Sequence, residues 1–455
     1  MKENIVIIGA GSAMFTRGLV ADLIQRGWDA TLSLVDIDPD ALSTAEKLTA
    51  KMLEARKSPI HLRASVDRRE VLSDASVIIT TIGVGGRRAW EQDVFIPRKY
   101  GIYYPVGDTV GPGGTSRAMR MIPPMIDIAK DVLDLAPVAL FFNYANPMAP
   151  VCRAVRKASG ANIIGLCHGV VHVARYLAGV LGVPVERLKY SAVGINHLTW
   201  FTRLRIDGMD AMPRLRGIAK EKNKAIAVNE NVGIHSFHKT VSSAILNQDE
   251  NLFSWQLMDL FGAFPAVLDR HVCEFFPQFF REGYYFGRRL GVDVFSFEDT
   301  IAFGDQIYEE MRQDALSKKP LDEAYFDRIG GEHEQVLDII ESIRMDEGKI
   351  YSANLPNQGQ VNGLPPEAII EMPAIADAGG LHPIFQDPLS PGLLGTLASR
   401  LQWVETIVEA AIEGSREKFI QALLIDGACD SLEKALMLGE ELLSAQRNYL
   451  PALDR

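Results

Sequence analysis

A chain of 455 residues, 47% hydrophobic and 23% charged, is too long for one compact core and divides into two or three folding units. Its 47 basic against 58 acidic side chains leave a formal charge of -11, which excludes a protein built mainly to hold nucleic-acid phosphates. No apolar run reaches the ~18 residues of a membrane span. A secretory signal layout is absent, and four scattered cysteines (Cys152, Cys167, Cys273, Cys429) form no disulfide framework, so a soluble cytoplasmic protein is expected.

Asn4–Ile8 reads as a buried strand, followed by a glycine-rich turn and a helical pattern to about Arg26. Thr31–Val35 is a second strand and Asp40–Arg56 a helix with apolar residues at helical spacing. Val77–Thr81, Val138–Asn143 and Asn162–Cys167 are further short, mostly apolar runs. Runs that are continuously hydrophobic are buried on both faces, and strands separated by helices build βαβ units. The expected fold is therefore α/β: a Rossmann-type doubly wound parallel sheet, lactate/malate-dehydrogenase-like, over residues 1–167. A mixed α+β, mostly helical C-terminal domain is expected over 168–455. There, Tyr190–Val193 and Thr199–Ile206 are expected strands. Tyr308–Ser317, Gly331–Arg344, Gly392–Glu413 and Ser431–Gln446 are expected helices, and the proline- and glycine-rich Asn354–Pro391 an irregular loop.

Gly9-Ala10-Gly11-Ser12 follows the first strand and opens a helix, so a pyrophosphate can approach the backbone at the helix N-terminus. Position 14, where a dinucleotide fingerprint has its third glycine, is Met14. Asp36 ends the second strand, where a carboxylate would hold the adenosine ribose and favour NAD over NADP. The alternative is a structural turn with an aspartate helix cap. Asn143-Tyr144-Ala145-Asn146-Pro147 follows another buried strand, at the sheet edge where nicotinamide and substrate would meet; the alternative is an Asx-type turn. Cys167, beside His168, and His197 offer a thiolate and an imidazole suited to a divalent transition metal. Substrate oxygens would fill the open positions. His168 and His172 have zinc-helix spacing, but Gly169 stands where a zinc protease carries glutamate. Asp108, in Gly107–Gly114, reads as an acid, a ligand or an anchor for sugar hydroxyls, the alternative being an N-capping loop; Arg117 and Arg120 follow it, and Arg87 and Arg88 form another basic spot.

Together these segments resemble glycoside hydrolase family 4, the NAD- and divalent-metal-dependent glycosidases. The resemblance rests on GAGS, the Gly85–Ala89 segment with Ile96-Pro97 and Lys99-Tyr100-Gly101, then GDTVGPGG, NPM, GLCHG and GINH. It continues through Glu274 in HVCEFFP, LPNQGQVNGLP and the final Leu450-Pro451, nearly the whole chain. It implies oxidation of the sugar at carbon 3 by NAD, loss of the carbon 2 proton, elimination of the glycosidic oxygen, addition of water and re-reduction.

By that resemblance Cys167 and His197 would be metal ligands, with manganese first among the divalent ions. Gly9, Gly11, Ser12, Asp36 and Asn143 would bind NAD; Asn146, Arg87 and Arg117 would bind the glycoside. Asp108 would be the acid, and His168 would line the same pocket. Many members use a tyrosine base after the histidine ligand, yet Phe201–Gly283 contains no tyrosine. Asp259 is the expected substitute, with His235, His238 or a metal-held hydroxide as alternatives. An α-glucuronide or α-galacturonide is the expected substrate, then a neutral α-galactoside or α-glucoside, with a homodimer or homotetramer as the assembly. The competing readings are an NAD-dependent 2-hydroxy acid dehydrogenase and a noncatalytic NAD-binding protein.

Overall fold

The computed structural model describes residues 1–12, 15–230, 251–321, 324–327, 334–450 and 453. The chain opens with β1 (Lys2–Ile8), α1 (Thr16–Arg26), β2 (Asp29–Val35), α2 (Pro39–Ala55), β3 (His61–Ser65), α3 (Arg69–Leu72) and β4 (Val77–Thr80). Next come α4 (Gly86–Lys99), α5 (Gly111–Leu135), β5 (Leu140–Asn143), α6 (Met148–Ser159), β6 (Ile163–Gly165) and α7 (Gly169–Val180). These six strands run parallel in the order β3-β2-β1-β4-β5-β6, the Rossmann arrangement. Ile5, Ile7, Leu32, Leu34, Val77, Ile78 and Phe142 are fully buried, as unbroken apolar strands covered by helices on both faces require. The order reverses between β1 and β4, so the loops after their carboxyl ends diverge and open a crevice.

The sheet does not stop at β6. The second half supplies β7 (Leu188–Ile195), β8 (Leu198–Ile206), β9 (Met209–Asp210), α8 (Met212–Glu230), α9 (Leu252–Phe261), β10 (Phe264–Pro265) and the short α10 (Asp269–Val272). A small hairpin, β11 (Tyr284–Tyr285) and β12 (Arg288–Arg289), precedes α11 (Phe297–Leu316), α12 (Ala324–Asp327) and α13 (Glu334–Met345). The chain then runs through β13 (Lys349–Pro356), β14 (Ile369–Asp377), β15 (Gly380–Pro383), α14 (Pro391–Glu413), α15 (Arg416–Asp426) and α16 (Leu432–Ala445). β13 lies antiparallel beside β6, then β14, β7, β8 and β10 follow outward, with β15 and β9 flanking, to make one thirteen-stranded mixed sheet.

This corrects the loop expected over Asn354–Pro391, which holds the end of β13 and all of β14 and β15. Pro356 and Pro383 close strands, whereas Pro373 lies inside β14, so the proline count misleads there. The helix expected from Tyr308 begins at Phe297, where the Ser296 hydroxyl accepts from Asp299 N–H as its cap. No helix among the described residues is long and apolar enough to cross a membrane.

Candidate active site

The turn after β1 needs its two glycines. Gly9 sits at φ +93°, and a Cβ there would lie 2.7 Å from the Ile82 nitrogen. At Gly11 a Cβ would lie 2.6 Å from Ala41 Cβ and 2.8 Å from the Asp36 carboxylate. Asp36 accepts from Gly11 N–H at 2.8 Å through Oδ2 and from Asp38 N–H at 3.0 Å through Oδ1. The cap of α2 is Asp38, which accepts from Asp40 and Ala41, so Asp36 is not spent as a helix cap. It ties the glycine turn to the end of β2, and Ser12 closes the turn by donating its N–H to the Gly9 carbonyl at 3.1 Å. Met14 lies outside the described residues. Asn143 is fully buried, bonded to Thr80, Ala145 N–H and the Ala145 carbonyl, so its side chain shapes an Asx-type turn rather than reaching a cofactor.

Four segments converge beyond the carboxyl ends of β5 and β6. His197 occupies the two-residue turn of the β7–β8 hairpin at φ +65°, and its Nε2 lies 3.6 Å from Cys167 Sγ. The sulfur also accepts from Gly169 N–H at 3.4 Å, at the first residue of α7, where the helix favours negative charge. His197 Nδ1 is 2.8 Å from the Thr109 hydroxyl, which donates to Asp108 Oδ1 at 2.7 Å. Asp108 Oδ2 accepts from Asn146 Nδ2 at 3.0 Å, and Arg117 Nε donates to the Asn146 carbonyl at 3.1 Å. Asp108, Arg117, Asn146, Cys167 and His168 are half-buried, whereas Thr109 and His197 behind them are buried.

The C-terminal half holds this wall in place. Glu274 Oε1 accepts from Val106 and Gly107 N–H at 2.7 and 2.9 Å, and Asp426 accepts from Gly111 N–H at 3.0 Å. Burial pushes the Glu274 carboxyl up to about 8. One turn before it, His271 stacks obliquely on His197 with ring centroids 4.4 Å apart. Its buried Nδ1 has no hydrogen-bond partner among the described residues. Burial pushes His197 down to about 4, and burial with the neighbouring His197 pushes His271 well below the usual imidazole range. Burial works to raise the Asp108 carboxyl, but Arg117, His197, His271 and the Thr109 hydroxyl outweigh it and hold it below its ordinary value. A carboxylate held low in this way suits an acceptor of hydroxyl hydrogens, whereas the acid role expected from the sequence would need Asp108 to carry a proton.

Several expected residues lie elsewhere. Arg87 and Arg88 both pair with Asp305 of α11, and Arg120 is buried against Asp93. Asp259 is exposed on α9 and bonded to Asn223 of α8 at 3.3 Å, the position of an ordinary helix-surface carboxylate. His235 and His238 lie outside the described residues. His271 is the site residue that sequence reasoning missed. Its signal was in HVCEFFP, where Glu274 drew attention and the histidine three positions earlier did not.

A Rossmann sheet, a glycine turn closed on a carboxylate, and a thiol beside an imidazole at the sheet's carboxyl edge describe a nucleotide-binding type of fold with polar side chains gathered at that edge. The model for family 4 glycosyl hydrolases matches residues 4–183, and that for their C-terminal domain matches 192–429. An alpha-glucosidase of Erwinia rhapontici is 31% identical over 99% of both chains. An alpha-galacturonidase of Bacillus subtilis (strain 168) is 30% identical over 93% of this chain and 92% of its own. A 6-phospho-alpha-glucosidase from gut microorganisms, solved with NAD and Mn2+, shares the fold with a TM-score of 0.81 at 20% identity, over 99% of each chain. The chain belongs to glycosyl hydrolase family 4. That membership disfavours both the hydroxy-acid dehydrogenase and the noncatalytic binding protein.

Proposed function

We propose that this chain is an NAD- and divalent-metal-dependent glycosidase that opens an α-hexuronide or α-hexoside by transient oxidation at carbon 3. The observation that carries the reading is the 3.6 Å approach of Cys167 Sγ and His197 Nε2 beside Asp108 and Asn146. Cys167 Sγ and His197 Nε2 would hold one divalent ion between them. Among the described residues no three His, Cys, Asp or Glu side chains gather to hold a metal by themselves, so Cys167 and His197 leave positions for substrate oxygens. Manganese suits this mixed sulfur, nitrogen and oxygen set, as do cobalt, nickel and iron.

When bound, NAD supplies removal and return of the carbon 3 hydride, and the divalent ion draws electrons from the ketone so formed. Within residues 1–167, Gly9, Gly11 and Ser12 would pass the dinucleotide phosphates, and Asp36 would hold the ribose. Asn146 and the ionised Asp108 would hydrogen-bond the sugar hydroxyls, with Arg117 beside them for a carboxylate or hydroxyl. His168, adjacent to Cys167 and half-exposed, would carry a proton to the departing oxygen. The enzyme would work in the cytoplasm as a homodimer or homotetramer.

The test is p-nitrophenol release from the α-glucuronide, α-galacturonide, α-glucoside and α-galactoside, with and without NAD, Mn2+ and a reducing agent. Hydrolysis that needs both NAD and metal, with no net NADH, is expected. Accumulation of NADH from a free hydroxy acid with every glycoside intact would overturn it.

A further inference from the structure

Between Asp108 and His197 stands one hydroxyl, that of Thr109, buried and 2.7 Å from Asp108 Oδ1 and 2.8 Å from His197 Nδ1. A hydroxyl has a single proton to give and two lone pairs to receive with. The Asp108 carboxylate can only accept, so the Thr109 proton points to it. The remaining contact then runs the other way: His197 donates Nδ1–H to the Thr109 oxygen. A neutral imidazole carries one N–H, so Nε2 is left with its lone pair, and Nε2 is the nitrogen that faces Cys167 Sγ at 3.6 Å.

We propose that Thr109 is a positioning residue that fixes the His197 tautomer and ring orientation, presenting Nε2 as a ligand for the divalent ion. The inference rests on the reading of Cys167 and His197 as the metal pair. It places a carboxylate–hydroxyl–imidazole chain where many metal sites have a carboxylate bonded directly to the histidine. Because Asp108 also holds Asn146 at 3.0 Å, the same chain couples the presentation of the ligand to the wall that would grip the sugar.

The experiment is Mn2+ titration by calorimetry on the NAD-loaded protein, comparing wild type with Thr109→Val, Thr109→Ser and the double variant Cys167→Ser/His197→Ala. Removal of an outer partner of a metal-bound histidine costs about 10–100-fold in affinity. Thr109→Val is expected to weaken Mn2+ binding by that factor, Thr109→Ser to restore it, and the double variant to abolish it. In 15N-histidine-labelled, metal-free protein, His197 of wild type and Thr109→Ser should show protonated Nδ1 and unprotonated Nε2, and Thr109→Val should lose that preference. Near-UV circular dichroism and NAD affinity serve as the folding check, and the serine variant keeps the test open if valine misfolds. Unchanged Mn2+ affinity in folded Thr109→Val, with the double variant dead, overturns the role of Thr109 alone. Unchanged affinity in the double variant overturns the metal pair itself.

Discussion

Asn354 stands opposite Gly165 in the sheet and donates its Nδ2 to the Gly165 carbonyl at 3.3 Å, across 189 positions of sequence. Two residues beyond Gly165 is Cys167. On the neighbouring strand, Glu371 of β14 stands opposite Gly194 of β7, three residues before His197. The strands bearing the thiol and the imidazole are therefore not neighbours; β13 and β14 lie between them and set their separation. Two side chains that both come from the first 200 residues are spaced by a hairpin supplied near the end of the chain.

Gly165 should then tolerate no side chain. A Cβ there would lie 2.6 Å from Met148 Sδ, 2.9 Å from Asn354 Cβ and 3.1 Å from Cys152 Sγ. The methionine can swing aside, but the Asn354 backbone is held in the sheet, so β6 and β13 must separate. Gly165→Ala is expected to cost about 1–3 kcal/mol of stability in urea unfolding, as overpacking does. It should also weaken Mn2+ binding, since Cys167 moves with β6. Wild-type values for both would mean that the strand contact does not govern the site.

Glu274 makes a pH prediction with a definite sign. Its carboxyl is raised from 4.5 to about 8 by burial, so between those values the folded chain keeps a proton that the unfolded chain has released. Stability contributed by that proton is full below the unfolded value and falls as pH rises through about 8, by up to about 1.4 kcal/mol per pH unit. Glutamine can accept the same two N–H bonds from Val106 and Gly107 without ionising. Glu274→Gln should flatten the decline of the thermal midpoint between pH 6 and pH 9 relative to wild type, and Glu274→Ala should lower activity by freeing the Asp108 loop. Parallel midpoint curves for wild type and the glutamine variant would refute the buried proton.

The parts legible in the sequence were those with local signatures. Unbroken apolar runs marked β1, β2 and β4, and the glycine turn announced itself because only glycine fits the approaches at positions 9 and 11. Cys167 and His197 stood out as residue types with metal chemistry. What remained hidden depends on pairing partners far along the chain. β14 carries a proline at 373 and a buried carboxylate at Glu371, which disguise a strand whose place is fixed by β13 and β7 rather than by its own propensity. Of the four arginines the sequence favoured Arg87 and Arg117, yet Asp305 and Asp93 claim Arg87, Arg88 and Arg120 and leave Arg117 beside Asp108.

The two stacked imidazoles should make the fold acid-sensitive. His197 is lowered to about 4 and His271 well below the usual imidazole range, chiefly by burial, so below about 6.5 the unfolded chain takes up protons that the folded one refuses. Their contribution is present above the unfolded value and is lost as pH falls from about 6.5 toward about 4. Unfolding at pH 5 should take up protons, seen as a buffer-dependent calorimetric enthalpy, and His271→Phe should reduce that uptake. Equal uptake in both proteins would place His271 in solvent.

The base question sets Asp259, the first choice from the sequence, against His271, which the sequence reading passed over. Asp259 is exposed on α9 with Asn223 as its neighbour, whereas His271 lies against His197 with an unpartnered, buried Nδ1. A group that moves a proton in the reaction contributes about 10²–10⁴-fold, and an exposed side chain outside the pocket contributes little. Asp259→Asn is therefore expected to keep kcat/KM within about 3-fold of wild type. His271→Ala should lower kcat/KM by about 100-fold or more. Exchange of the substrate's carbon 2 hydrogen with deuterated solvent, followed alongside turnover, locates the defect. A variant lacking the proton acceptor loses exchange together with turnover, whereas one impaired only in releasing the aglycone still exchanges. If Asp259→Asn abolishes exchange and His271→Ala retains it, the assignment reverses, and α9 must approach the pocket when the sugar is bound.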